Sequence, residues 1–181
     1  MSSTARVVTA AELERHTDDD HRYELVRGRV IRMSPVGYRH GTTLMRVGFL
    51  LSRYLENHPV GALMTEVGFK LASDPDTVRA PDIAFVRREH IPDDARGFID
   101  GPPDLAIEVL SPDDRPAEVQ AKVAEYLACG MQLVIAIDAD RRTVTIYARG
   151  ALSTTLGSGD QVLDLSAVLP GFSCRLSDIF E

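Results

Sequence analysis

Glu108 stands inside an apolar run, Pro103-Asp104-Leu105-Ala106-Ile107-Glu108-Val109-Leu110, that has the length and branched-aliphatic content of a buried strand. An ionised carboxylate is expensive there unless a cation, a metal or a proton meets it. Asp82 opens a second such run, Pro81-Asp82-Ile83-Ala84-Phe85-Val86. Two acids on neighbouring strands suit a hard divalent cation such as Mg²⁺, which is usually held by one or two carboxylates together with water and phosphate oxygens. That chemistry is metal-assisted hydrolysis of a phosphoester. The competing reading makes Glu108 a strand-end acid paired to an arginine, and Asp82 a simple strand start after proline.

Two further residues are candidates of a weaker kind. Lys122 follows Glu108 on the next helical segment, at the rim of an apolar stripe formed by Val119, Val123, Tyr126 and Leu127. Spacing alone assigns it to an i,i+4 pair with Glu118, worth only ~0.2–0.5 kcal/mol. Glu24 lies in the strand-like run Arg22-Tyr23-Glu24-Leu25-Val26, where neighbouring arginines offer surface partners. His40 sits at a helix start without a second histidine at metal spacing, so a metal-binding role is not expected of it. A phosphate-binding glycine loop, a dinucleotide fingerprint, a His-Glu-x-x-His helix and a Gly-x-Ser-x-Gly elbow are all absent from the sequence.

The elements that must position these side chains alternate between strand and helix. Thr9 and Glu12 form a capping box for a short helix over 9–16, and 18–20 is an acidic loop. A hairpin turns at Arg27-Gly28 within 22–33. An amphipathic helix covers 38–57, with Leu44, Val47, Leu51, Tyr54 and Leu55 in phase. A strand over 62–72, a turn at 73–76 and a strand over 78–87 form a second hairpin, followed by a polar loop over 89–102. The unit strand 105–110, helix 116–129, strand 133–137 is a βαβ crossover, and 143–148 adds another strand. The remainder, 151–181, reads as a tail with one more strand and a short helix near 176–180. The fold class is therefore α/β (α+β), a mixed sheet flanked by helices, in one domain over 1–181 with its core at about 20–150.

At 181 residues, 44% hydrophobic and 26% charged, the chain is long enough to bury a core and too apolar to be disordered. A net charge of −7 is awkward for a nucleic-acid binder, since phosphate affinity comes largely from Lys and Arg. The arginines do cluster, at 22, 27, 29 and 32, at 39 and 46, and at 87 and 88. Cys129 and Cys174 are expected as reduced thiols. No apolar leader and no membrane span are evident, so a soluble, cytoplasmic protein is expected.

Four motifs stand in order: Tyr-Glu-Leu-Val-Arg-Gly at 23–28, Pro-Asp-Ile-Ala-Phe-Val at 81–86, Pro-Asp-Leu-Ala-Ile-Glu-Val-Leu-Ser-Pro at 103–112, and Lys122-x3-Tyr126-x3-Gly130. In this arrangement the chain resembles the bacterial Uma-two family of restriction endonucleases, a branch of the PD-(D/E)xK nuclease superfamily, from about Thr9 to the Leu-Pro-Gly-Phe-Ser stretch at 169–173. The resemblance implies a restriction-endonuclease-like core, often in a homodimer, acting on DNA with Mg²⁺ or Mn²⁺. It makes Asp82 the aspartate of the "PD" element, Glu108 the acid of "(D/E)xK", and Glu24 an N-terminal acid that helps place the metal. It also moves the lysine: Leu110 stands where the superfamily has lysine, and Lys122 is the matching residue. A second departure follows Gly130, where Met-Gln-Leu-Val-Ile-Ala-Ile-Asp replaces a Val-Pro-x-Tyr-Trp-like stretch, a change in packing or in a dimer contact. The alternative to a nuclease is a degenerate nuclease-fold dimer that binds nucleic acid or protein, and a third reading keeps the metal site but hydrolyses RNA or a nucleotide.

Overall fold

The computed structural model describes residues 6–15, 21–94, 96–157 and 159–181. Helix α1 (Ala10–Glu14) begins at the Thr9–Glu12 capping box; His16 and the acidic loop at 18–20 lie outside the described residues. Strands β1 (Tyr23–Val26) and β2 (Arg29–Arg32) form the expected hairpin. Its two turn residues, Arg27 and Gly28, have φ of 49° and 73°, the left-handed pair that matches the twist of a two-residue hairpin. Helix α2 (Tyr38–Asn57) has the bounds read from its apolar phase.

The second hairpin is not one ribbon in one sheet. The chain breaks each of its two strands and changes sheet at both breaks. Strands β3 (Gly61–Met64) and β4 (Phe69–Ala72) replace the single strand expected over 62–72, while β5 (Thr77–Arg79) and β6 (Ile83–Arg87) replace that over 78–87. Pro81, which has no N–H for a ladder, interrupts the second, and Glu66, at φ 60°, turns the first. The two breaks face each other, since the Glu66 N–H donates to the Pro81 carbonyl at 3.2 Å. Strand β7 (Ile99–Asp100) follows, and then the crossover β8 (Leu105–Leu110), α3 (Pro116–Ala128), β9 (Leu133–Asp138), with β8 and β9 parallel. Pro116 at the first turn and Gly130 just past the end, at φ 101°, bound α3.

Strand β10 (Thr143–Ala148) and β11 (Thr154–Leu156) extend this sheet to the order β11-β10-β9-β8-β6-β3. The other large sheet has the order β2-β1-β5-β4-β7. A small ribbon of β12 (Val162–Asp164) and β13 (Ser173–Arg175), with α4 (Leu176–Phe180), completes the chain. The segment after 150 is richer than a tail with one strand. Leu163, Leu165, Val168, Leu169, Phe172, Leu176 and Ile179 join the main apolar cluster beside α2 residues Val47 and Leu51.

Alternation along β6, β8 and β9 gives the six-stranded sheet two unlike faces. One presents Ile83, Phe85, Leu105, Ile107, Val109, Ile135 and Ile137 to that main cluster. The other presents Ala84, Ala106, Val134 and Ala136, with Ala106 and Val134 packed under Val123 and Tyr126 of α3. Small side chains on this second face leave room for α3 to lay longer ones down onto the sheet. Glu108 is on it.

Candidate active site

The β6–β8 register pairs Ile83 with Ile107 and Ala84 with Ala106; continued by one step, it sets Asp82 opposite Glu108. The Pro81 break ends the ladder there, and the Asp82 carboxylate substitutes for a backbone partner: the Val109 N–H donates to its Oδ2 at 2.7 Å. Its Oδ1 lies 3.3 Å from His40 Nε2 on the first turn of α2. His40 Nδ1 is 3.4 Å from Ser111 Oγ, just past the end of β8.

Lys122 does not pair with Glu118, which lies 3.8 Å from Arg115 instead. Its Nζ sits 2.9 Å from Glu108 Oε1 and 3.0 Å from Glu24 Oε1, so one ammonium bridges an acid from each large sheet. Tyr126, one turn along α3, donates its hydroxyl to the same Glu108 Oε1 at 2.9 Å. Glu24 is held on both oxygens: the Ala80 N–H donates to Oε1 at 3.1 Å, and Arg79 donates to Oε2 at 2.7 Å. Arg79 also donates to Glu125 Oε2 through Nε at 2.9 Å and Nη2 at 2.6 Å. The result is a chain of alternating charge, Glu125–Arg79–Glu24–Lys122–Glu108, most deeply buried at Glu24 and partly exposed at Glu125.

Burial pushes the Glu108 carboxyl up to about 7, and the nearby Asp82 and Glu24 charges add to the rise against the lowering pull of Lys122. Burial acts to lower the Lys122 ammonium, but Glu108 and Glu24 outweigh it and hold the group well above the ordinary lysine range. Lys122 therefore stays charged at neutral pH. Burial also opposes ionisation of Glu24, yet Lys122 and Arg79 overcome it and keep its carboxyl below the usual range. The Tyr126 phenol is pushed well up, first by burial and then by Glu108, so it remains a hydrogen-bond donor. Tyr126→Phe removes that donor from a charged acceptor, and a loss of about 1.5–3 kcal/mol in urea unfolding at pH 8 is expected.

All four residues expected from sequence, Glu24, Asp82, Glu108 and Lys122, gather in one neighbourhood. Sequence reading set His40 aside, placed Tyr126 in the apolar stripe and the Lys122-x3-Tyr126 motif without a role of its own, and passed over Arg79 and Glu125. A signal existed for His40, which is in helical phase with the buried Val47 and Leu51 and so had to be buried itself. For metal binding the arrangement is partial: among the described residues, no group of three or more His, Cys, Asp or Glu side chains is placed to hold a metal ion. Glu24 is committed to its cations. Glu108 receives Lys122 and Tyr126 on Oε1 alone, and Asp82 receives the Val109 N–H on Oδ2. Each thus keeps one oxygen without a hydrogen bond among the described residues, a donor set that fits an oxygen-seeking cation completed by water. A cleft of about 680 Å³ opens beyond the end of β8 between Ser111, Gln120, Asp138 and Tyr147. Its wall includes Ala136, the strand neighbour of Glu108, but none of the four site side chains.

No helix among the described residues is long and apolar enough to cross a membrane. No curated protein matches the chain. Among solved structures it is similar to one from Anabaena variabilis ATCC 29413, described as a putative nuclease belonging to DUF820, with 20% identity, a TM-score of 0.84, and coverage of 96% of this chain and 97% of that one. At that identity the likeness speaks for the fold. The Uma2 family model, described as "Putative restriction endonuclease", matches residues 10–177 and so takes in the whole site. The chain belongs to the Uma2 family.

Proposed function

We propose that this protein is a divalent-metal-dependent nuclease that hydrolyses phosphodiester bonds in DNA, with Asp82 and Glu108 as metal-holding acids and Lys122 as the catalytic cation. The observation that carries the reading is the placement of Lys122. An ammonium from α3 lies 2.9 Å from the acid of β8, opposite Asp82, in a chain whose family is described as restriction endonuclease. Mg²⁺ or Mn²⁺ bound there would lower the pKa of a water molecule and offset charge on the phosphate. Lys122 is held protonated at neutral pH by its two acids, so it would serve as an electrostatic stabiliser of phosphate charge and not as a base. Glu24 and Arg79 fix its position. Glu24, whose Oε1 already accepts from the Ala80 N–H beside Lys122 and whose Oε2 accepts from Arg79, would help position a metal directly or through water. Tyr126 and Lys122 hold Glu108 by Oε1, and Oε2 has no hydrogen bond among the described residues. Cutting both strands with one site per chain calls for two copies, and the reading carries a homodimer.

The test is nicking of supercoiled plasmid by wild type and Asp82→Ala, each with Mg²⁺, Mn²⁺ or EDTA. Wild type is expected to cut only with metal, and Asp82→Ala to be slower by at least ~10²-fold. Equal activity of the two proteins would overturn the assignment. The acidic balance of the chain favours a second reading, a non-catalytic binding module, which predicts DNA or protein binding indifferent to EDTA and no cleavage at all.

A further inference from the structure

His40 is the part of this site that a carboxylate–lysine description leaves unexplained. The residue is 6% exposed, and its Nε2 is buried without a hydrogen-bond partner. That atom nevertheless lies only 3.3 Å from Asp82 Oδ1. The distance is short enough for an ion pair, yet the two atoms make no hydrogen bond. An unmade hydrogen bond on a buried polar atom costs about 1–3 kcal/mol, so its persistence next to a carboxylate calls for a third body. When Nδ1 donates to Ser111 Oγ, 3.4 Å away, Nε2 carries the lone pair, and a lone pair and a carboxylate oxygen then stand side by side. Two neighbouring ligands of one cation have this arrangement: at metal–ligand distances of about 2.1 Å, adjacent octahedral positions are roughly 3 Å apart. A partner that holds the other ring nitrogen, as Ser111 does, is the usual companion of a metal-ligating histidine.

We infer that His40 Nε2 is a cation ligand beside Asp82 Oδ1, and that the site consequently selects a first-row transition ion such as Mn²⁺ over Mg²⁺. The inference rests on the metal-site reading above. Mg²⁺ is held through oxygen, whereas imidazole nitrogen is a good ligand for first-row transition ions. Glu108, one step beyond the paired register from Ile107, would act on the ion through a water molecule, and water would fill the remaining positions.

The experiment uses the full chain with Mn²⁺ alone. Binding is followed by the free-ion electron paramagnetic resonance signal, and the bound ion by electron spin echo modulation from ¹⁴N. Wild type should show histidine nitrogen modulation. His40→Gln, checked for folding by circular dichroism, should lose that modulation and bind Mn²⁺ at least ~10-fold more weakly, with Mg²⁺ competition changed far less. Bound Mn²⁺ without ¹⁴N modulation in wild type, which needs no variant, overturns the inference, as does an unchanged affinity in folded His40→Gln; His40 is then an ion-pair partner of Asp82 while the carboxylate site stands. Failure of wild type to bind Mn²⁺ at all removes both this inference and the metal-dependent reading.

Discussion

Replacing Lys122 with methionine should cost about 3–5 kcal/mol of folding stability, the range for removing one partner of a buried ion pair and leaving a charge uncompensated. The loss falls at the upper end because one ammonium serves two acids, Glu24 and Glu108, whose side chains are only 3% and 12% exposed. For a chain of this size each kcal/mol corresponds to roughly 2–4 °C in Tm, so thermal unfolding should begin well below the wild-type range. The deficit should also depend on pH. In wild type Glu24 has a depressed pKa, so its contribution is present above its unfolded value near 4.5 and fades as the pH falls. Lys122, with a raised pKa, contributes fully below its unfolded value near 10.5 and loses that contribution as the pH rises further. Without the ammonium, Glu108 should hold its proton to higher pH than the wild-type value of about 7. The gap between the proteins should therefore widen as the pH rises above 7. Urea titrations at pH 6 and pH 8.5 measure it, and equal deficits at the two values would show that Glu108 does not depend on Lys122.

Glu108→Gln should have the opposite effect on stability and remove the proposed function. Ionised Glu108 is a burden on the fold: its folded pKa of about 7 exceeds the unfolded 4.5, so stability falls as the pH rises through that interval and is flat above it. The shift corresponds to at most about 3 kcal/mol once the group is fully ionised. Glutamine fills the same space, has no charge to desolvate, and can still accept from Tyr126 and Lys122. The variant should match wild type near pH 4.5 and exceed it by about 1–3 kcal/mol at pH 8. At the same time it should lose metal-dependent cleavage by ~10²-fold or more, along with the rise in Tm that a bound divalent ion confers on the native state. A gain of stability with a loss of activity is the mark of a charge kept for use and not for folding. A variant that is both less stable and fully active would place Glu108 among the structural ion pairs.

Much of the frame was legible because it rests on local patterns. The phase of Val47 and Leu51 fixed α2, and the crossover from β8 through α3 to β9 followed from two aliphatic runs around an amphipathic helix. Asp82 and Glu108 could be matched because each sits at a definable place in an apolar run. What failed was long-range. Spacing alone read Lys122 as a surface residue, because the helical wheel put it at the rim of α3 and one of its two partners, Glu24 on β1, belongs to a different sheet; the family resemblance was what singled it out. Residues 62–72 read as one strand because side-chain alternation continues through Glu66, while the sheet change depends on a backbone turn that hydropathy does not register. His40 was set aside because a metal histidine was sought beside another histidine, although its place in the buried stripe of α2 was the better clue. The stretch after 150 lacks the long runs of the central strands, and its short apolar pieces acquire meaning only once α2 offers them a surface.

The anchoring of Glu24 by Arg79, 55 residues further along the chain, also has a kinetic consequence. Neither sheet contains the site by itself: Glu24 and Arg79 belong to the first, Glu108 to the second, and α3 supplies Lys122. Contacts this distant in sequence form late, since the chain must close long loops before they bring any gain. A nascent or truncated chain that ends before α3 has its acids but no ammonium between them. The proposed phosphate chemistry should thus become available only when the two sheets dock, at the step that brings Glu24, Lys122 and Glu108 together.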